Sequence, residues 1–314
     1  MVLFCVFIFL EPLAETCTAS AAIEYRVVIA PRGTAALCDG GRDNWSGRRA
    51  LTEQLSSLDQ LALPETWSIN SRRVMAVELE VCVDSVASAL TAAECGATRL
   101  ELCAGLAVGG LTPTLGTFLA VRQRVAVPIM VLVRPRAGDF CYTAEEVEAM
   151  ATDIALFRQN GVHGFVIGAL TREGDVDVAT CQHLLAAAGP QADTTFHRAF
   201  DVVRNPEAAL ERVIELGFRR LLTSGQAASV ELGLDLLCRL ATQAKGRIQL
   251  MPGGGVSESN LAHLLHATGV RAIHASASEP APAAMSALSF GEHRMCSAAR
   301  VRALSVIIRS QGQL

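Results

Sequence analysis

The sequence predicts an α/β fold: a (β/α)8 barrel of the TIM type behind a weakly structured N-terminal extension. Three observations predict it. After Met75, short apolar runs alternate with longer segments whose apolar residues recur at helical spacing. There are eight runs and eight helical segments, the number that closes a parallel barrel. No Gly-x-Gly-x-x-Gly follows the first run, which argues against an open, doubly wound sheet, the other architecture with this alternation.

The strand segments are Val77–Asp84, Arg99–Ala104, Pro128–Arg136, Gly164–Leu170, Asp193–Ala199, Arg219–Gly225, Ile248–Gly253 and Ala272–Ala277. Between them lie helical segments Ser85–Glu94, Leu115–Arg124, Thr143–Asn160, Val178–Ala188, Pro206–Leu216, Val230–Ala244 and Glu258–Ala267, with a last one at Ala298–Arg309. Asn205-Pro206 and Ser257 are expected helix starts. Gly96, Gly161, Gly217, Gly246 and Gly269 follow helical patterns, as helix-ending glycines do. The Ala/Pro-rich stretch from Glu279 to Met295 reads as a loop.

Residues 1–74 have a different character. Met1–Leu10 is apolar but too short to span a bilayer. No Lys or Arg precedes it and Glu11 ends it, so it lacks the positive start of a secretory signal. Arg32–Ser71 is rich in Gly, Arg and Ser and has little periodicity, the composition of a linker or disordered segment. The expected organisation is an extension over 1–74, outside the fold, and a barrel over 75–314.

Half of the chain is apolar (51%), enough to bury a large core, and the net charge of -4 gives no attraction to nucleic acid or an anionic membrane. Ten cysteines in 314 residues, several inside apolar runs, read as reduced buried thiols rather than a disulfide framework. The one lysine, Lys245, lies before the seventh strand, on the wrong end of the barrel for Schiff-base chemistry.

A barrel strand turns alternate side chains to the helices and to the axis. In the first strand Leu79, Val81 and Val83 face the helices, so Glu80 and Cys82 face inward. The second strand repeats this with Leu100 and Leu102 outward, Glu101 and Cys103 inward. In the third, Val131 and Val133 alternate with Leu132, Arg134 and Arg136. Inward charges must pair or meet water. Two readings follow: a ring of ion pairs joining Glu80 and Glu101 to Arg134 and Arg136, or a charged pocket at the strand ends, where barrel enzymes place their chemistry.

In the second reading Glu80 or Glu101 serves as acid/base, Arg134 and Arg136 clamp an anion, and His197 shuttles a proton. His197 shares the end of the fifth strand with Arg198 and Asp201. His274, in the eighth strand, is a weaker candidate. Gly253, Gly254 and Gly255 form either a tight turn or an anion site made of backbone N–H groups. Cys82 and Cys103 sit at equivalent places on neighbouring strands, roughly 4.8 Å apart. Such thiols act as small hydrophobes or hold one soft cation, and thiolate softness selects Cu(I), which accepts two sulfurs in a near-linear arrangement.

Several stretches resemble the CutC family. They are Glu78–Ser85, Arg99–Cys103, Gly109–Thr114, Arg134–Phe140, Thr195–Asp201, Leu222–Gly225 and Met251–Gly255, in order over roughly two-thirds of the chain. The resemblance implies a barrel that forms homo-oligomers, is cytosolic and in animals also nuclear, and handles copper. It implies Cu(I) binding through Cys82 and Cys103, hence copper trafficking or buffering. The alternative is a barrel enzyme acting on a small phosphorylated or carboxylated substrate. Two departures stand out: Ala137 where the family commonly has Gly, and Ser278 where it often has Arg.

Overall fold

A computed structural model describes residues 77–281 and 294–311. The expected extension over 1–74 therefore lies outside the described residues. Eight parallel strands alternate with helices: β1 Glu78–Val83, α1 Val86–Cys95, β2 Arg99–Leu102, α2 Leu115–Arg122, β3 Ile129–Leu132, α3 Ala144–Gln159, β4 Gly164–Ile167 and α4 Val178–Ala188. The second half continues with β5 Asp193–Phe196, α5 Pro206–Glu215, β6 Arg220–Thr223, α6 Leu234–Ala244, β7 Gln249–Pro252, α7 Leu261–Thr268 and β8 Ala272–Ala275. Neighbours in sequence pair from β1 to β7, and β1 also pairs with β8, so first and last strands meet. Between β7 and β8 the sheet closes through one parallel bridge, Gly253 to His274. That closure distinguishes the barrel from an open doubly wound sheet.

Local signals place the elements. Ser85, Thr114, Asp177 and Asn205 each cap a helix by accepting from a backbone N–H three residues on, and Pro206 follows its cap. Thr143 and Glu146 form a full capping box on α3. Several boundaries differ from expectation: β3, β4 and β5 end three or four residues early and α6 starts at Leu234, not Val230. Helix α7 starts at Leu261, not near Ser257, because the Asn260 side chain holds the Ser257 N–H and the Gly255 carbonyl in a turn first. Lys245 is the left-handed C-cap of α6, and Gly246 after it also has a positive φ.

The Glu279–Met295 stretch is not all loop. Ser278–Pro280 (β9) pairs antiparallel with Arg294–Cys296 (β10) before the last helix, α8 Ala298–Gln311. Arg294 and Arg300 both donate to the Ser278 carbonyl.

The main core lies between strands and helices, with Leu79, Val81, Leu100, Phe118, Val131, Phe165, Phe196 and Leu221 fully enclosed. Two small apolar clusters lie inside the barrel. Cys82, Cys103, Met130, Leu132 and Val166 form one; Leu222, Met251 and Ala272 form the other. Strand contact leaves no room at Gly164, where a Cβ would stand 1.9 Å from the Asp193 carbonyl oxygen.

Candidate functional site

Strand alternation brings the inward residues into layers along the barrel axis. Glu78, Arg99, Asp193 and Arg220 stand near the strand starts. Arg220 bridges Glu78 and Asp193, and Arg99 reaches Asp193 (3.1 Å). One layer up, Glu80 is wholly enclosed. Its Oε2 accepts from Arg99 Nε at 2.6 Å and its Oε1 lies 2.8 Å from His274 Nδ1. An ion-pair centre therefore exists, but its cations are Arg99, Arg220 and His274, not the expected Arg134 and Arg136.

Arg134 is buried but points at backbone, donating to the carbonyls of Val108, Gly110 and Gly138. Arg136 leaves the barrel axis altogether. It binds Glu146 (2.5 Å) and Asp139 (2.9 Å) on a partly exposed rim. The reason is that β3 ends at Leu132, so alternation no longer governs where Arg136 points.

Above this layer a cavity of about 300 Å³ opens at the strand C-termini. Cys82, Glu101, His274, Arg134, His197, Arg198, Gly254 and Gly255 are among the residues that line it. Glu80 and Arg136 do not line it. Cys82 Sγ lies 3.5 Å from Cys103 Sγ, and Cys103 is fully buried behind it. The ligand atoms of Cys82, Glu101 and His274 lie within 4.8 Å of one another, the one such cluster among the described residues. His274 Nδ1 is 3.4 Å from Glu101 Oε2.

Electrostatics make this corner proton-rich. The hydrogen bond with Cys103, then burial, push the Cys82 thiol well above its usual range. Burial raises Glu101, with Glu80 adding to it. Burial alone would lower His274, but Cys82, Glu101 and Glu80 together raise it well above 6.5. Glu80 is held at about 2: burial pushes it up, and Arg99 followed by His274 outweigh that. Across the cavity, burial and the Arg134 charge depress His197 to about 3, so its ring is neutral.

Sequence reasoning brought Cys82, Cys103, Glu101 and His197 to one end of the barrel, and they meet there. It underrated His274 and passed over Arg99 and Arg220. The signal was the same alternation: Arg99 is in phase with Glu101, and His274 with Ala272.

The CutC family model matches residues 77–279. The chain belongs to the CutC family. The human copper homeostasis protein cutC homolog is 47% identical over 223 residues, 70% of this chain and 81% of that protein. A CutC family protein of Chromobacterium violaceum is 50% identical over 207 residues, 66% and 83% of the two chains. The crystal structure of a CutC protein from Streptococcus agalactiae superposes with a TM-score of 0.60 at 28% identity, covering 64% of this chain and 98% of that one. The CutC match ends at Glu279, within β9. No helix among the described residues is long and apolar enough to cross a membrane.

Proposed function

We propose that this protein takes part in copper homeostasis by binding Cu(I) at the Cys82–Cys103 pair and trafficking or buffering it. The observation that carries this reading is the 3.5 Å separation of the two sulfurs beside His274 at the floor of the cavity. A linear sulfur–metal–sulfur arrangement needs sulfurs twice a metal–thiolate bond apart, about 4.6 Å for a bond of ~2.3 Å. The shorter separation suits a bent pair, which leaves a side open for a third donor. In this reading His274 supplies that donor, beside the two sulfurs. Soft thiolates with one imidazole favour Cu(I) over hard cations.

Loading requires the thiols to deprotonate and His274 to give up its proton, so copper uptake releases protons. Glu101 stands within reach of both Cys82 and His274 and lines the cavity, so it can take up one of these protons. The seven described cysteines are all free thiols, which fits a reducing, cytosolic or nuclear setting. The human relative's name, copper homeostasis protein, supports the same reading.

The test is a Cu(I) titration of reduced protein against a competing chelator, with Cys82→Ser and Cys103→Ser alongside. Both variants should lose affinity. Unchanged affinity in both sinks the assignment.

A further inference from the structure

One wall of the cavity carries Arg198, His197, Gly254 and Gly255, groups the copper reading above does not use. Arg198 is the half-exposed cation on that wall. Its Nε donates to Asp201 (2.7 Å) and its Nη2 to Ser224 Oγ (2.9 Å). These bonds lay the guanidinium over Gly254, where an added Cβ would sit 3.3 Å from Arg198 Cζ and Nη1. The Asp201 carboxylate is itself buried among Thr223, Ser224 and the Gln226 N–H, so it anchors Arg198 from behind.

Gly254 and Gly255 both have positive φ, +105° and +76°. Successive amides in such a turn form a concave nest for negatively charged oxygens. The two N–H groups donate to no acceptor among the described residues. The Gly255 carbonyl is held by Asn260 and that of Gly254 by the Val230 N–H, so the turn is braced.

A second observation is independent of the turn. His197 is 4% exposed and its Nδ1 accepts from the Ala199 N–H. The proton of the neutral ring is therefore on Nε2, a buried donor without a partner in the protein. Arg134 Nε, on the same wall, is another. Buried donors left unmatched are uncommon in folded proteins and need an acceptor to account for them.

We propose that this wall of the cavity binds a small organic anion, a carboxylate or a phosphate ester. Its charged end rests on Arg198 and the Gly254 and Gly255 amides, and a further oxygen accepts from His197 Nε2. The cavity volume, about 300 Å³, lies at the lower end of the range for small-ligand sites, roughly 300–1,000 Å³, which suits a small metabolite. The site shares the cavity with copper but uses different side chains, so either can fail without the other.

The experiment is calorimetric titration of the full-length, metal-free, reduced chain in Tris chloride, with inorganic phosphate in one arm and malonate in the other. Saturable binding of one probe is expected, and the stronger arm tells phosphate from carboxylate. Arg198→Met should weaken it about tenfold or more, the loss expected for a charge-assisted hydrogen bond. Asp201 keeps its other donors in that variant. Ser276→Asp, at an exposed lining position, adds repulsion without touching Arg198 and should also weaken binding. Absence of binding by either probe up to about 10 mM, or wild-type affinity in both variants, overturns the proposal.

Discussion

Replacing Arg99 by Met removes the main cation from the enclosed carboxylate at the barrel centre. Arg99 is 3% exposed and Glu80 is 0% exposed, so water cannot take the lost partner's place. Breaking one side of a buried pair costs roughly 3–5 kcal/mol. His274 remains on Glu80 and Arg220 remains on Asp193, which puts the expected loss at the lower end, about 3 kcal/mol. That is a large share of a typical domain stability of about 5–15 kcal/mol.

The loss depends on pH with a definite sign. In the native protein Glu80 titrates at about 2, below its ordinary 4.5. Its contribution is complete above 4.5 and fades as pH falls toward 2. Without Arg99, burial dominates and the carboxyl rises above its ordinary value. The variant is then penalised most at neutral pH and relieved as the carboxyl takes a proton. The gap between native and variant should narrow from pH 7 to pH 5. Urea melts of metal-free protein at both values measure it. A loss under about 1 kcal/mol at pH 7, the size of an exposed pair, or a gap that does not narrow, refutes the reasoning.

Three further outcomes are expected. His197 titrates at about 3 in the fold against 6.5 unperturbed, so its contribution is complete above 6.5 and is lost as pH falls. His197→Gln should lose about 2 kcal/mol less than native between pH 7 and 4.5, read from denaturant midpoints, and parallel curves would contradict this. Gly164→Ala must push Asp193 off β4, since its Cβ meets a backbone oxygen; a loss of about 3 kcal/mol or more is expected by thermal melting, and a near-native melt would show the strands can part. A chain starting at Met75 should stay soluble and melt within a few degrees of the whole chain, because residues 1–74 lack the alternation of the barrel; a larger drop would show that they stabilise it.

The barrel was readable because its strands keep strict phase. Leu79-Glu80-Val81-Cys82 and Leu100-Glu101-Leu102-Cys103 turn Glu80, Cys82, Glu101 and Cys103 inward once the apolar set is turned to the helices. The same rule fails at Arg136 for a physical reason: the strand ends four residues earlier, and its rim partners Glu146 and Asp139 come from the following loop and helix. Partner identity was harder. Glu80 and His274 are 194 residues apart and meet only when β8 closes on β1. Alternation says that both face the axis, but the stagger of the closed barrel decides which charges share a layer. The Gly253–Gly255 turn was found as a motif, yet its separation from α7 by the Asn260 turn depends on side-chain bonds that periodicity does not carry.

X-ray absorption at the copper edge of the Cu(I)-loaded, reduced protein tests the central claim most directly. Two sulfur neighbours and one nitrogen are expected, with one sulfur lost in Cys103→Ser and the nitrogen lost in His274→Ala. A shell of nitrogen and oxygen alone, or a spectrum unchanged in both variants, would place copper elsewhere and contradict the assignment of Cys82, Cys103 and His274.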